Sequence, residues 1–300
     1  MLEVKKYILG RNLGLIKEDL TFKELTTLRI GGKIALVYYP YTLENFIDVY
    51  RLILYRKVPF FIIGGGSNIL ASDKKYEGIV ISFSKIKHDY IINDDVLECD
   101  SGMMANRLSY ELAMKKYTGL EFLSGIPGSI GGVVAMNASY KGKSISDQII
   151  SVDCVDNLGR VITLKNDELE FEYRNSKILK EKLVVIKARF KVTMVDEDLL
   201  EVLKYYQQIR NETQPLGEFS AGCAFKNPKE GSAWRYIEEV GLRGFRINDA
   251  VISKKHANFV INSSKASSED MIKLLQLIKE KVKKEKNIDL INEWILVNFD

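Results

Sequence analysis

The sequence predicts an α+β fold in two domains. Three observations carry this: residues 34–63 read strand, helix, strand; short apolar runs recur from 78 to 192 around one helical stretch; and beyond about 195 long amphipathic helices take over. At 300 residues, with 46% hydrophobic residues and 5 prolines, the chain has enough apolar material for sizeable cores and no bias toward disorder or a fibrous repeat.

Ile34 to Tyr39 is an apolar run rich in β-formers and is expected as a strand. Thr42 follows as a helix N-cap, because its hydroxyl is placed to accept from an unsatisfied amide of the first turn. Phe46, Val49, Tyr50, Ile53 and Leu54, spaced by three and four, give that helix a core-facing stripe, and Pro59 to Ile63 closes a βαβ unit. Further strands are expected at 78–82, 96–99, 150–156, 161–164 and 184–192, with a helix over about 103–116. These form one first domain, 1–194.

A boundary near 195 follows from the acidic run Asp196-Glu197-Asp198, which opens a helix through Leu199, Val202, Leu203, Tyr206 and Ile209 that ends before Thr213-Gln214-Pro215. In the second domain, 195–300, a helix from Glu269 to about Lys286 carries Met271, Leu274, Leu275, Ile278 and Val282 on one face. The apolar tail from about 290 to 299 reads as a strand seeking a sheet.

Composition excludes several classes. Lys plus Arg number 44 against 40 Asp plus Glu, and the +4 is spread along the chain, too weak and diffuse for nucleic acid. The basic run Lys281 to Lys286 reads as the solvated end of a helix. Three cysteines without a Cys-x-x-Cys pair indicate neither a disulfide framework nor a zinc ribbon and fit a reducing cytoplasm. With only two histidines, His88 and His256, no His-rich metal site is expected. No stretch approaches the ~20 apolar residues of a bilayer span, and no export leader opens the chain.

Glycine is concentrated in two places. Gly64-Gly65-Gly66-Ser67-Asn68 directly follows a strand, a setting in which successive amides turn inward as an anion nest suited to a pyrophosphate. Gly125-Ile126-Pro127-Gly128-Ser129-Ile130-Gly131-Gly132 lets backbone approach a flat or phosphorylated ligand closely. Neither run is a Gly-x-Gly-x-x-Gly turn or a P-loop, so another scaffold must hold the ligand.

Together with Thr26-Thr27-Leu28-Arg29-Ile30-Gly31-Gly32, these runs resemble the FAD-binding segments of UDP-N-acetylenolpyruvoylglucosamine reductases. Tyr173-Arg174-Asn175-Ser176, Gly222-Cys223-Ala224-Phe225-Lys226-Asn227-Pro228 and His256-Ala257-Asn258-Phe259 follow in that family's order. The resemblance, to the shorter type, implies a two-lobed FAD-binding domain of the vanillyl-alcohol-oxidase-like kind, with lobes of about 1–82 and 83–194, followed by an α/β substrate-binding domain whose strand near 290–299 either stays in it or returns to the first lobe. It implies non-covalent FAD against Arg29, Gly64, Gly65, Gly66, Ser67, Asn68, Gly125, Pro127, Gly128, Ser129, Gly131, Gly132 and Asn137, with NADPH as hydride donor and a UDP-sugar as substrate. No obligate protein partner is inferred.

Adding hydride to the terminal carbon of an enolpyruvyl ether pushes charge onto the adjacent carbon and its carboxylate, so the site must stabilise that charge and deliver one proton. Arg174 matches the family's catalytic arginine, and its planar, permanently charged guanidinium suits a carboxylate. Cys223 stands where many members have a serine donor; an ordinary thiol, with a pKa of about 8.5, is a stronger acid than a hydroxyl and can replace it. Glu293 lines up with the family's C-terminal glutamate, Asp289 being its nearest competitor. Tyr173, Arg210, Lys226, Asn227 and His256 are expected to contact substrate. Two other readings stay open: a flavin-dependent sugar or lactone oxidase, and a flavin or nucleotide-sugar binding module without turnover.

Overall fold

Helix Leu43–Tyr55 forms where Thr42 predicts it: the Thr42 hydroxyl accepts from Asn45 N at 3.1 Å, and the stripe Phe46, Val49, Tyr50 and Ile53 is buried. The computed structural model describes residues 1–299 of the chain. They form two compact units, the first built from 1–18, 36–65 and 77–208, the second from 19–35, 66–76 and 209 onward.

Two sheets belong mainly to the first unit. One runs Gly14–Lys17, Ile34–Pro40, Tyr76–Ser82, Phe60–Ile63 in spatial order. The expected βαβ strands are thus not neighbours, because 76–82 lies between them and pairs parallel with 60–63, Phe60 opposite Ile79. Their core stacks Phe46 against Tyr50 and Phe83, with ring centroids 5.2 and 4.8 Å apart. An N-terminal helix, Leu2–Arg11, not foreseen from the sequence, adds Val4 and Ile8 to it.

The other sheet is antiparallel, ordered Val161–Lys165, Ile149–Val155, Val184–Lys191, Val96–Asp100, Tyr90–Asn93. A charge network crosses it: Glu98 pairs with Lys187 at 2.6 Å and Arg189 at 2.7 Å, and Arg189 reaches Asp153 at 2.9 Å. Hydrogen bonding from Lys187 holds the Glu98 carboxyl below its ordinary pKa. Cys99 and Cys154 are core residues here, and burial pushes the Cys154 thiol up to about 12 and the Cys99 thiol higher.

The division of the chain differs from a single cut near 195. Helix Leu199–Thr213 buries Leu199 and Leu203 beside Ala113 and adds Tyr206 to the core of the first unit. Its apolar stripe therefore keeps residues to 208 with the preceding sequence.

The second unit centres on an antiparallel sheet ordered Phe219–Cys223, Phe259–Asn262, Ala250–Ile252, Arg246–Ile247. Helix Ser268–Lys286 presents the predicted face of Met271, Leu274, Leu275, Ile278 and Val282 to this core. Ser267 accepts from Asp270 N at 3.0 Å and Asp270 reaches back to Ser267 N at 2.9 Å, a capping box; Lys283, Lys284 and Lys286 lie in the last turn, where the dipole favours cations. The apolar tail forms the strand Ile295–Val297, parallel to Ile69–Ala71 with Ile295 opposite Ile69. That partner follows the first glycine run directly in sequence. Among the described residues no helix is long and apolar enough to cross a membrane.

Candidate functional site

The two glycine runs meet in the first unit. A Cβ at Gly65 would lie 3.0 Å from the Gly128 Cα, and one at Gly64 would fall inside contact of the Ser129 hydroxyl. Glycine eases this approach: a Cβ at Gly65 would require the opposing main chain to give by a few tenths of an ångström, and one at Gly64 would displace the Ser129 side chain. The second run is fastened from behind: Gly131 N donates to Ser101 O at 2.7 Å, Ile130 N to Met103 O at 2.8 Å, and Ala105 N to Gly128 O at 2.9 Å. The hydroxyls of Ser101 and Ser124, which flank this arrangement, are buried without a hydrogen-bond partner.

The rest of the first run belongs to the second unit. Gly66 takes a left-handed φ of 64°, and its carbonyl accepts from Thr27 N at 3.1 Å. Asn68 Nδ2 donates to Glu293 O at 3.1 Å, and Ile295 N donates to Asn68 O at 3.0 Å, so this residue ties the C-terminal strand in place. Asn137, expected against the ligand, uses its amide on neighbouring loops, donating to Glu172 O at 3.2 Å and accepting from Ser146 N at 3.0 Å. Arg29 stacks its guanidinium on Phe219, 4.1 Å from the ring centroid, and lines a cavity of about 320 Å³ with Lys23, Asp73 and Lys265. No residue of either glycine run lines that cavity.

Arg174 stands at the tip of a tight turn. Glu172 and Asn175 exchange backbone bonds of 3.0 and 3.2 Å, which puts Arg174 at a left-handed φ of 55°. Its Nη1 donates to Ser139 Oγ at 3.0 Å, and the guanidinium lies 5.4 Å from the ring centroid of the exposed Tyr173. Ser176, fully buried, anchors the turn by donating to Ala135 O at 2.7 Å, at the end of the helix Ile130–Ala135 that carries part of the second glycine run.

Cys223 and Glu293 are brought together by main chain in the second unit. Strand Phe219–Cys223 slips register against Phe259–Asn262 between Ser220 and Cys223, where Gly222 has a φ of 73°. Immediately after, Ala224 O accepts from Glu293 N at 2.8 Å and Lys226 N donates to Ile291 O at 2.9 Å. Residues 224–226 thus run beside 291–293, with Phe225 opposite Asn292. Glu293 is half-buried. Asp289 instead is 78% exposed and pairs with Lys283 at 2.7 Å.

The other substrate candidates divide. Asn227 accepts from Ala233 N at 2.9 Å, holding the start of helix Ala233–Glu239. Arg210 donates to Gln214 at 3.0 Å. His256 is half-buried, and burial lowers its pKa; Nδ1 accepts from Asn258 N at 3.3 Å, which leaves the ring proton on Nε2. Two residues escaped the sequence reading. Thr27 donates to Ser220 O at 2.7 Å and to Gly66 O through its amide, linking two motif segments, and Asn258 grips Phe225. Both lie inside recognised motifs, which was the available signal. Among the described residues no group of three or more His, Cys, Asp or Glu is arranged to hold a metal ion.

Comparison with known proteins matches this layout. Residues 34–165 fit the profile of an FAD binding domain, and 214–297 that of the UDP-N-acetylenolpyruvoylglucosamine reductase C-terminal domain. The reductase of that name from Clostridium novyi (strain NT) is 37% identical over 283 residues, 94% of this chain and 92% of the relative. Its counterpart from Clostridioides difficile (strain 630) is 37% identical over 89% of this chain and 88% of the relative. The crystal structure of the Thermus caldophilus reductase superposes with a TM-score of 0.79 at 30% identity, covering 94% of this chain and all of that one. Similarity at this level, carried through both profiles and nearly the full length of the relatives, means that the chain belongs to the UDP-N-acetylenolpyruvoylglucosamine reductase family.

Proposed function

We propose that this chain reduces the enolpyruvyl ether of UDP-N-acetylglucosamine enolpyruvate to UDP-N-acetylmuramate, a step of peptidoglycan precursor synthesis, with NADPH as reductant and non-covalent FAD as carrier. The observation that carries the reading is the main-chain junction of 224–226 with 291–293, which sets a thiol and a carboxylate of the family's motifs on adjacent segments. Three cysteines that form no disulfide among themselves fit work in the cytoplasm.

The glycine runs suit a flavin nucleotide, because they meet where a Cβ at Gly64 or Gly65 would crowd the opposing run and because Ser101 and Ser124 keep unpartnered hydroxyls nearby. Gly64, Gly65, Gly66, Ser67, Gly125, Pro127, Gly128, Ser129, Gly131 and Gly132 would hold it. Bound FAD would accept hydride from NADPH and return it to the terminal carbon of the enolpyruvyl group.

Arg174 receives the substrate carboxylate; the Glu172 to Asn175 turn and the bond to Ser139 fix its guanidinium before charge develops, so little reorganisation is needed. Cys223 donates its proton to the carbon that bears the carboxylate, completing the addition across the double bond. Glu293 polarises that carbon and steers the proton. Lys226 and Tyr173 contact the diphosphate and sugar portions.

The test is anaerobic stopped-flow flavin absorbance: reduce the purified protein with NADPH, then add the enolpyruvyl substrate. Rapid reoxidation is expected. Reoxidation only by oxygen would favour an oxidase, and absence of bound flavin would refute the assignment of the glycine runs.

A further inference from the structure

We infer that Asn258 is a positioning residue for the reaction, fixing the segment that bears Cys223 against the segment that bears Glu293. The inference rests on the function proposed above and assigns a role to a residue that contacts neither substrate nor cofactor in that scheme.

Asn258 is 2% exposed, and both ends of its amide are committed to one residue. Oδ1 accepts from Phe225 N at 3.0 Å and Nδ2 donates to Phe225 O at 2.8 Å. Its own carbonyl accepts from Ala224 N at 2.7 Å. A side-chain amide presents an N–H donor beside a carbonyl acceptor, as a peptide group does, so it can stand in for a strand neighbour. It does so where one is needed: the ladder between Phe219–Cys223 and Phe259–Asn262 has slipped at Gly222, and residues 224 and 225 lie past its end. The opposite edge of the same segment is held by Glu293 N on Ala224 O and Lys226 N on Ile291 O.

Cys223 is therefore one peptide bond from a residue clamped on one side by Asn258 and on the other by Glu293. Behind the clamp, His256 Nδ1 accepts from Asn258 N, and its ring packs edge-on to Phe259 at 4.9 Å. No other amino acid keeps both Phe225 bonds at this length. Asp retains the acceptor but sets an oxygen against the Phe225 carbonyl, whereas Ala leaves both backbone groups buried and unpaired. A displacement of about 1 Å between reacting groups is enough to cost on the order of 100-fold in rate.

The experiment compares flavin-loaded wild type with Asn258→Asp and Asn258→Ser. For Asn258→Asp we expect kcat to fall by about 10- to 100-fold with KM changed by less than about threefold, while flavin reduction by NADPH stays within about twofold. Iodoacetamide alkylation of Cys223 is followed against pH without substrate, with the buried Cys99 and Cys154 as internal controls, and the variant profile should be displaced from wild type. Unchanged kcat and an unchanged alkylation profile in both variants would overturn the inference. So would equal losses in substrate reduction, NADPH oxidation and thermal stability with Cys223 alkylation unaltered, which is the pattern of a general structural defect. Should wild type fail to reduce the enolpyruvyl substrate, the functional reading falls, and the alkylation profiles still decide whether Asn258 sets the environment of Cys223.

Discussion

Gly66→Ala should destabilise the second unit by about 2–5 kcal/mol, and the structure shows where that figure comes from. Gly66 has a φ of 64°, which costs a residue with a Cβ about 1–2 kcal/mol. The added methyl would also lie 2.9 Å from Thr26 Cα and 3.0 Å from the Leu25 carbonyl carbon, and closer still to the Leu25 oxygen. All three are main-chain atoms, so no rotamer change relieves the overlap, and overpacking of this kind adds about 1–3 kcal/mol. Moving the chain aside would stretch the bond from Thr27 N to Gly66 O, now 3.1 Å. Trp234 and Trp294 both belong to the same unit as Gly66, so urea unfolding followed by tryptophan emission reads that unit directly. With m near 2 kcal/mol per M, the midpoint should fall by about 1–2.5 M. Gly217→Ala is the control: φ is 87° but nothing lies within 4 Å of the added methyl, leaving only the backbone cost. A midpoint for Gly66→Ala no lower than that of Gly217→Ala would refute the steric argument, and undiminished flavin content would separate the turn from cofactor binding.

Arg174→Lys should lower substrate reduction by about 100- to 1,000-fold, with flavin reduction by NADPH retained, because a point charge replaces a planar fork; equal loss of both half-reactions in stopped flow would point to a structural role. A native thiol titration should find one reactive cysteine, Cys223, and three after denaturation, since burial pushes up the pKa of Cys99 and Cys154; two or more fast thiols in the folded protein would contradict this. Burial lowers the His256 pKa below 6.5, so the unfolded chain binds a proton that the folded one refuses. Stability contributed by this group is therefore complete above about pH 6.5 and declines as pH falls toward the folded pKa; His256→Gln should remove that part of the slope in urea titrations run at several pH values, and identical slopes would reject it.

The predictions that rest on main-chain geometry are the ones the sequence could not supply. Periodicity and apolar runs located helices Leu43–Tyr55 and Ser268–Lys286 and four strands of the five-stranded sheet to within one or two residues; the edge strand Tyr90–Asn93, which buries none of its residues fully, was not foreseen. Phe219–Cys223 carries no such stripe: Ser220, Ala221 and Gly222 are small, and the strand exists because Phe259–Asn262 and the Thr27 hydroxyl hold it. Neighbour relations were similarly hidden, since 76–82 separates strands that are consecutive in a simple βαβ reading.

Motif residues named for ligand contact divide along the same physical line. Gly64, Gly65 and Gly128 mark the sequence, because the first two sit where a Cβ would crowd the opposing run and Gly128 takes a φ of 139° that favours glycine. Asn68, Asn137 and Asn227 carry no such mark, because a side-chain amide in a motif can serve a ligand, a loop or both; in the structure they bond to Glu293 O, to Glu172 O and Ser146 N, and to Ala233 N. A motif records that a residue is needed without recording which atom needs it. The same ambiguity gives Asn258 its interest: within His256-Ala257-Asn258-Phe259 the histidine draws the chemical eye, while in the structure its Nδ1 accepts from Asn258 N and the asparagine holds the backbone on which Cys223 depends.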